Sequence, residues 1–142
     1  MAELSTQNRE LIIAGATEIA ERAYAPYSRF HVGAALLCDD GTVFRGVNVE
    51  NRSYGLAICA ERSAITTAVT EGYTHFAAIA VYSPDSAYPV SPCGACRQVI
   101  SEFMDPDGTV IFVGRDGVHE THRVSDILPF DALHELKNRP ID

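Results

Sequence analysis

The sequence lacks the features that mark membrane and secreted proteins. No apolar run approaches the roughly 20 residues that a membrane-spanning helix needs. The N-terminal residues, Met-Ala-Glu-Leu-Ser, do not show the charged-then-apolar layout of a secretion signal. These absences lead us to expect a cytoplasmic protein without a membrane partner.

Basic residues are also scarce and scattered. Of the 11 Lys and Arg residues one is lysine, and the formal net charge is −8. Proteins that bind phosphate backbones usually carry a basic stripe. The acidic balance therefore argues against nucleic acid as a partner and favours an uncharged small molecule.

Internal repeats, low-complexity segments and linkers are missing as well, which predicts one domain over residues 1–142. A chain of this length buries a substantial core, and its composition of 46% hydrophobic residues is typical of globular proteins. Such a chain does not need disulfides for stability. Its four cysteines are therefore predicted to be reduced thiols or metal ligands.

Hydrophobic periodicity predicts a helix, a β-hairpin, and then strands that alternate with helices. This order indicates an α/β fold with a mixed sheet layered with helices, in which the hairpin strands are antiparallel and the later strands could be parallel. The predicted helices span about 6–24, 59–71 and 94–103, with a short helix after Pro129, and the predicted strands span about 32–38, 43–49, 77–82, 110–113 and 120–124.

Three of the cysteines fall at predicted helix starts. Cys59 opens one helix, while Cys93 and Cys96 lie three residues apart at the start of the next and face the same way. Helix N-termini lower the pKa of a thiol toward the thiolate that metals bind. Three thiolates leave one tetrahedral position open, as in catalytic zinc sites. The remaining cysteine, Cys38, ends an apolar strand and is interpreted as a core residue.

Glu61 lies two residues after Cys59, where a carboxylate can sit beside a metal and act as a general acid and base. A Cys-x-x-Cys pair alone could equally be a redox pair or two buried thiols. Cys-x-Glu followed about thirty residues later by Pro-Cys-x-x-Cys is far more specific, because it is the signature of zinc-dependent nucleobase deaminases. We therefore predict one Zn²⁺ on Cys59, Cys93 and Cys96, with Glu61 as the catalytic residue.

The match to a known family extends well beyond these residues. Over nearly the whole chain, the sequence resembles the small, homotetrameric cytidine deaminases. The matching segments are Tyr-Ala-Pro-Tyr-Ser-Arg-Phe at 24–30, Val-Gly-Ala-Ala at 32–35, Gly-Val-Asn-Val-Glu-Asn at 46–51, Tyr-Gly at 54–55, Cys-Ala-Glu-Arg at 59–62 and Ser-Pro-Cys-Gly-Ala-Cys-Arg-Gln at 91–98.

The resemblance implies a three-layer α/β/α sandwich around a mixed five-stranded sheet. It also implies a homotetramer whose sites are completed by neighbouring subunits. The implied reaction is hydrolytic deamination of cytidine and 2′-deoxycytidine to the corresponding uridines. In it, Glu61 takes a proton from the zinc-activated water, passes it to ring N3 and helps to protonate the leaving ammonia.

The resemblance also assigns substrate contacts. Without it, Asn48 and Glu50 would be interpreted as a solvated strand end and Phe30 as core. The implied roles are ribose binding by Asn48 and Glu50, stacking on the pyrimidine by Phe30, reading of the base edge by the Ala60 backbone and Glu61, and contact with a neighbouring subunit's site by Tyr54.

Arg62 follows Glu61 and has a physical reason to belong to the site. Three thiolates outweigh the charge of Zn²⁺, and this excess weakens the metal as a Lewis acid. In the resembled family, the arginine at this position donates to the thiolate sulfurs and offsets the excess. The alternative is a surface arginine on a helix.

The sequence departs from the family near its C-terminus. The family usually carries a phenylalanine three residues after Leu-Pro, where it closes a neighbour's pocket. Here Phe130 directly follows Leu128 and Pro129, and Ala132 occupies the expected place. Whether Phe130 takes over this role stays open.

Three rival functions remain. The nearest is deamination of another small aminopyrimidine, such as a nucleoside antibiotic or free cytosine, although the Asn48–Glu50 pair favours a ribose. A nucleic-acid editing enzyme conflicts with the acidic charge. A zinc-binding module without catalytic activity would hold zinc and release no ammonia.

Overall fold

The computed structural model describes residues 4–133 and 136–137. Within these ranges, no helix is both long enough and apolar enough to cross a bilayer. The elements in chain order are α1 (Thr6–Ile19, continued by a 3₁₀ turn, Ala20–Arg22), β1 (Gly33–Cys38), β2 (Val43–Val47), α2 (Ala60–Thr70), β3 (Phe76–Tyr82), α3 (Gly94–Phe103), β4 (Met104–Val113), β5 (His119–Arg123) and α4 (Val124–Ile127).

The five strands form one mixed sheet in the order β2-β1-β3-β4-β5. The β3–β4 pair is parallel, and the other pairs are antiparallel. β1 is buried along its whole length. Its unbroken run of small and apolar residues suits a strand that is covered on both faces. The structure thus confirms the mixed five-stranded sheet.

Two apolar clusters separate the helices into two outer layers. Along β1, Ala35 and Leu37 face α1, where they pack with Ile12 and Ala16. Ala34 and Leu36 alternate to the opposite face, which α2, α3 and α4 cover. The three-layer α/β/α sandwich that the resemblance implied is therefore confirmed.

Two glycines allow the helices to approach the sheet closely. A Cβ on Gly33 would collide with the backbone oxygen of Ala16 in α1. A Cβ on Gly46 would collide with the backbone nitrogen of Ala64 and lie 2.7 Å from the backbone oxygen of Ala60. The second contact matters for function, because α2 begins directly after Cys59.

The prediction differs from the structure mainly after α3. β4 begins at Met104 rather than near Val110, because Met104 already pairs with Phe76 of β3. Thr109 pairs with Ala78, so residues 105–108 form an irregularity within the strand where the register shifts. The predicted short helix after Pro129 falls largely on residues that the structure does not describe, and α4, before Pro129, is an element that the sequence analysis did not predict. The Asp126 carboxylate accepts from the Arg123 backbone N–H and caps its start, and the proline restricts its end. Much of the segment after Pro129 lies outside the described residues.

Candidate active site

The predicted ligands lie where two helices begin. Cys59 and Cys93 are the N-cap residues of α2 and α3, and Cys96 lies in the first turn of α3. The Sγ atoms of the three cysteines all lie within 4.8 Å of one another. The N-termini of two helices thus converge on one set of three thiols, a position that favours negative charge.

The sulfur geometry fits zinc. The Sγ atoms of Cys59 and Cys93 are 3.8 Å apart. Two sulfurs that bind a tetrahedral zinc at about 2.3 Å are separated by about 3.8 Å. No fourth His, Cys, Asp or Glu joins this cluster within the described residues. The donor set therefore leaves a coordination position for water or substrate.

Arg62 lies beside this cluster. Its Nη2 donates to the Cys59 Sγ at 3.5 Å, and its buried Nε has no hydrogen-bond partner among the described residues. Hydrogen bonds from the Cys96 thiol and from Arg62 lower the pKa of Cys59 to about 5. Cys59 is therefore a thiolate at neutral pH. The position of Arg62 agrees with charge compensation and not with an exposed surface arginine.

Glu61 is the buried acid of the site. Its side chain lies in the first turn of α2, and the residue is 4% exposed. Burial raises the pKa of this carboxyl to about 7. A group with a pKa near neutrality can both accept and donate a proton under ordinary conditions.

Backbone pairing brings a second segment to the cysteines. Val49 and Ile58 exchange two backbone hydrogen bonds, each of 2.9 Å. Ile58 directly precedes Cys59, so the residues on either side of Val49 lie next to the start of α2. This pairing places Asn48 and Glu50 beside the thiols.

One cavity of about 470 Å³ joins these groups. Its volume falls within the range of small-molecule sites. Apolar side chains line part of it, and polar groups and the thiols line the rest. Among its lining residues are Phe30, Asn48, Glu50, Cys59, Ala60, Glu61, Arg62 and Cys93.

Asn48 and Glu50 also hold the loop that carries Phe30. The Asn48 amide donates to the Phe30 carbonyl and accepts from the Val32 N–H, both at 2.8 Å. The Glu50 carboxylate accepts from the Tyr27 and Ser28 N–H groups at 3.0 and 3.1 Å. The hydrogen bond from the Ser28 hydroxyl is the main cause that lowers the pKa of Glu50. Glu50 is therefore an anionic acceptor at the cavity wall.

Tyr54 and Phe130 lie outside this cavity, and the buried Cys96 is not among its lining residues either. Tyr54 is 78% exposed and stacks edge-on against Tyr27 in an adjoining hollow. Phe130 is 91% exposed. Cys38 is 1% exposed in the core, and burial raises the pKa of its thiol to about 11.

Sequence reasoning missed two residues that support the site. Arg97 donates through Nε to the Pro92 carbonyl at 2.8 Å, directly before Cys93. Asp85 binds the residue after Phe30 through the His31 N–H. The sequence showed Arg97 only as a member of the matching segment 91–98, which gave no indication of its contact. Asp85 lies in an irregular, proline-rich loop, where no periodicity reveals its contacts.

Comparison with known proteins agrees with this geometry. The model of the cytidine and deoxycytidylate deaminase zinc-binding region matches residues 6–113. The chain belongs to the cytidine and deoxycytidylate deaminase family. It is 49% identical over 122 residues to a cytidine deaminase of Halalkalibacterium halodurans, covering 86% of this chain and 92% of the relative.

Solved structures of this family share the fold. A cytidine deaminase from Burkholderia pseudomallei superposes with a TM-score of 0.82 at 45% identity, covering 89% of this chain and 98% of that one. A more distant relative, a blasticidin-S deaminase from Bacillus cereus, is 36% identical over 115 residues, covering 76% of this chain and 80% of the relative. The three-cysteine cluster fits one zinc ion, in agreement with the zinc-binding region of this family.

Proposed function

We propose that this chain is a zinc-dependent cytidine deaminase that converts cytidine and 2′-deoxycytidine to uridine and 2′-deoxyuridine. The observation that carries the proposal is the single cavity in which Glu61 and the cysteine cluster share a wall with Phe30, Asn48 and Glu50. A nucleoside presents a base and a sugar diol, and this cavity offers matching groups for both.

The roles of the side chains follow from their chemistry. Zinc, when bound by Cys59, Cys93 and Cys96, supplies a Lewis acid that makes water nucleophilic at neutral pH. Glu61 accepts the proton of the attacking water and delivers it to ring N3 of the cytosine. Once the water oxygen has bonded to C4, Glu61 takes the second proton from that oxygen and passes it to the C4 amine. The C4–N bond then breaks, the oxygen becomes the C4 carbonyl and ammonia leaves. The buried carboxyl can do this because it is shielded from bulk water.

Substrate recognition uses the rest of the cavity. Glu50 accepts hydrogen bonds from the sugar hydroxyls, and Asn48 can both donate and accept. Phe30 packs against the pyrimidine face, and the backbone of Ala60 reads the base edge beside Glu61. The acidic wall disfavours a 5′-phosphate, so the free nucleoside is the preferred substrate class.

A second candidate is deamination of an aminopyrimidine nucleoside antibiotic. Its support is the 36% identity to a protein named blasticidin-S deaminase, against 49% to a cytidine deaminase. The experiment compares cytidine, deoxycytidine, cytosine, CMP, blasticidin S and single-stranded DNA by ammonia release from the zinc-loaded protein. Activity on both nucleosides, with little on the others, is expected. Turnover of CMP, DNA or blasticidin S alone would refute the proposal.

We propose further that the enzyme is a cytoplasmic homotetramer in which Tyr54 contacts a neighbouring subunit's site. The support is the large exposure of two aromatic side chains, Tyr54 at 78% and Phe130 at 91%. Light scattering after gel filtration should give four times the chain mass of 15.4 kDa. A monomer with full activity would refute this assembly.

A further inference from the structure

The loop between the first helix and β1 presents Phe30 to the cavity in a conformation that its own sequence does not favour. Arg29, directly before Phe30, has a φ of 60°. This left-handed region is disfavoured for residues with a side chain. Contacts from outside the loop must therefore hold Phe30 in place. Asn48 and Glu50 supply some of them from the β2 side.

Another contact comes from the opposite side, and the family resemblance does not assign it. The Asp85 Oδ2 accepts from the His31 N–H at 2.8 Å and lies 2.8 Å from the His31 Nδ1. One carboxylate oxygen thus holds both the backbone and the ring of the residue that follows Phe30. The hydrogen bond from the His31 amide lowers the pKa of Asp85, so the acceptor is charged at neutral pH.

Asp85 is itself fixed to the core. Its backbone N–H donates to the Ser83 Oγ at 3.1 Å, and Ser83 is fully buried at the end of β3. The same loop continues to Val90 and Ser91, which line the cavity before Cys93. The Asp85–His31 contact therefore ties the two walls of the cavity together, the one with Phe30 and the one that leads to the cysteines.

We propose that Asp85 is a positioning residue for nucleoside recognition: by holding the His31 backbone and ring, it fixes Phe30 against the pyrimidine. The inference rests on the proposed function, because it requires a base in the cavity. It differs from the roles of Asn48 and Glu50, which also face the sugar. Asp85 does not line the cavity and acts through the loop alone.

The test is Asp85→Ala in the zinc-loaded enzyme. Loss of one charge-assisted hydrogen bond to the loop should raise the KM for cytidine about tenfold. The kcat and the zinc content should stay near those of the wild type, because Glu61 and the cysteines are untouched. Hydrogen exchange of the His31 amide should accelerate by at least about tenfold, since its acceptor is gone.

Conservative variants separate positioning from general stability. In Asp85→Asn, the amide oxygen still accepts from the His31 N–H, so the KM should return close to the wild-type value. His31→Ala keeps the backbone contact and should raise the KM less than Asp85→Ala does. If Asp85→Ala fails to fold, these two variants alone decide: a wild-type KM in His31→Ala, or a strongly raised KM in Asp85→Asn, overturns the proposal.

A matched control lies at the other end of β1. Asp39 forms a similar pair with His75, with Oδ2 and Nδ1 2.6 Å apart, about 20 Å along the strand from Gly33. Asp39→Ala should leave the KM unchanged, and an equal rise in this variant would overturn the proposal. Wild-type protein that releases no ammonia from cytidine would refute the proposed function. An active wild type with an unchanged KM in Asp85→Ala would refute the positioning role alone.

Discussion

The Arg62 guanidinium donates to the Cys59 sulfur across 3.5 Å, from one turn further along α2. Residues three apart on a helix share a face, so the arginine reaches back to the thiolate at the helix start. Hydrogen bonding to Cys59 raises the pKa of Arg62 further above its ordinary value, so it remains a cation. We expect this pairing to offset the negative charge of three thiolates when zinc is bound.

Arg62→Gln should therefore weaken zinc retention and slow catalysis, each by about 10- to 100-fold. Glutamine keeps much of the side-chain length and removes the charge. Zinc loss to a chelator and kcat on cytidine are the measurements. Arg22→Gln changes an exposed arginine outside the cavity and is the control. Unchanged zinc retention and kcat in Arg62→Gln would mean that Arg62 has no role at the metal site.

Glu61→Gln should lower kcat by about 10² to 10⁴ and leave the zinc content intact. The amide is nearly isosteric with the carboxylate but cannot accept the proton of water. Steady-state rates and zinc analysis of the same preparation separate the two effects. Glu71→Gln, at the exposed end of α2, is the matched control. Near-full turnover in Glu61→Gln would contradict the mechanism.

Cys96→Ala should abolish stoichiometric zinc binding, because a buried ligand is lost from the cluster of three. Cys38→Ala removes an equally buried thiol from the core and should retain one zinc per subunit. Zinc analysis after dialysis gives the comparison. Equal zinc loss in both variants would mean that metal retention reports overall stability and not ligation.

Gly46→Ala should destabilise the fold by about 1–3 kcal/mol. The added methyl group would collide with the backbone of α2 next to the helix start that carries Cys59 and Glu61. Urea unfolding and kcat should both respond. A Cβ on Gly55 meets nothing within 4 Å, so Gly55→Ala is the control. A Gly46→Ala protein as stable as the wild type would show that α2 moves freely away from β2.

His75 should make stability depend on pH. Hydrogen bonding to Asp39 first, and then to Asp105, raises the pKa of His75 above 6.5. Because the pKa of His75 is higher in the folded than in the unfolded state, protonated His75 contributes its full stabilisation at a pH below its unfolded-state pKa. This stabilisation is lost as the pH rises through the folded-state pKa. The ring is 45% exposed, so the effect should stay below about 1 kcal/mol.

Urea unfolding of His75→Gln should show a smaller fall in stability between about pH 6 and pH 8.5 than the wild type does. His119, whose ring lies 3.0 Å from the Gly117 carbonyl oxygen, provides the control variant His119→Gln. If the stability of the wild type and that of His75→Gln change by the same amount over this range, the assignment to His75 is wrong.

Much of the fold was readable from local patterns. The apolar run of β1 and the Asp39-Asp40-Gly41 turn predicted the hairpin, because alternation and turn chemistry act over a few residues. The sequence did not predict the early start of β4 at Met104, because this residue joins the strand through its pairing with Phe76 of β3, and such a distant contact leaves no local pattern. The sequence likewise did not predict α4, because this short helix depends on a cap by Asp126 and not on a periodic apolar pattern.

Local sequence was also enough for the chemistry of the metal site. The spacing of Cys59, Glu61, Cys93 and Cys96 placed these side chains at helix starts, and helix geometry alone orients them. The tertiary structure decided which distant segments meet there. The Val49–Ile58 pairing brings Asn48 and Glu50 to the segment that leads into Cys59, and Asp85 reaches the Phe30 loop across 54 positions of chain. Such contacts depend on the packing of the whole sheet, so no short window of sequence contains them.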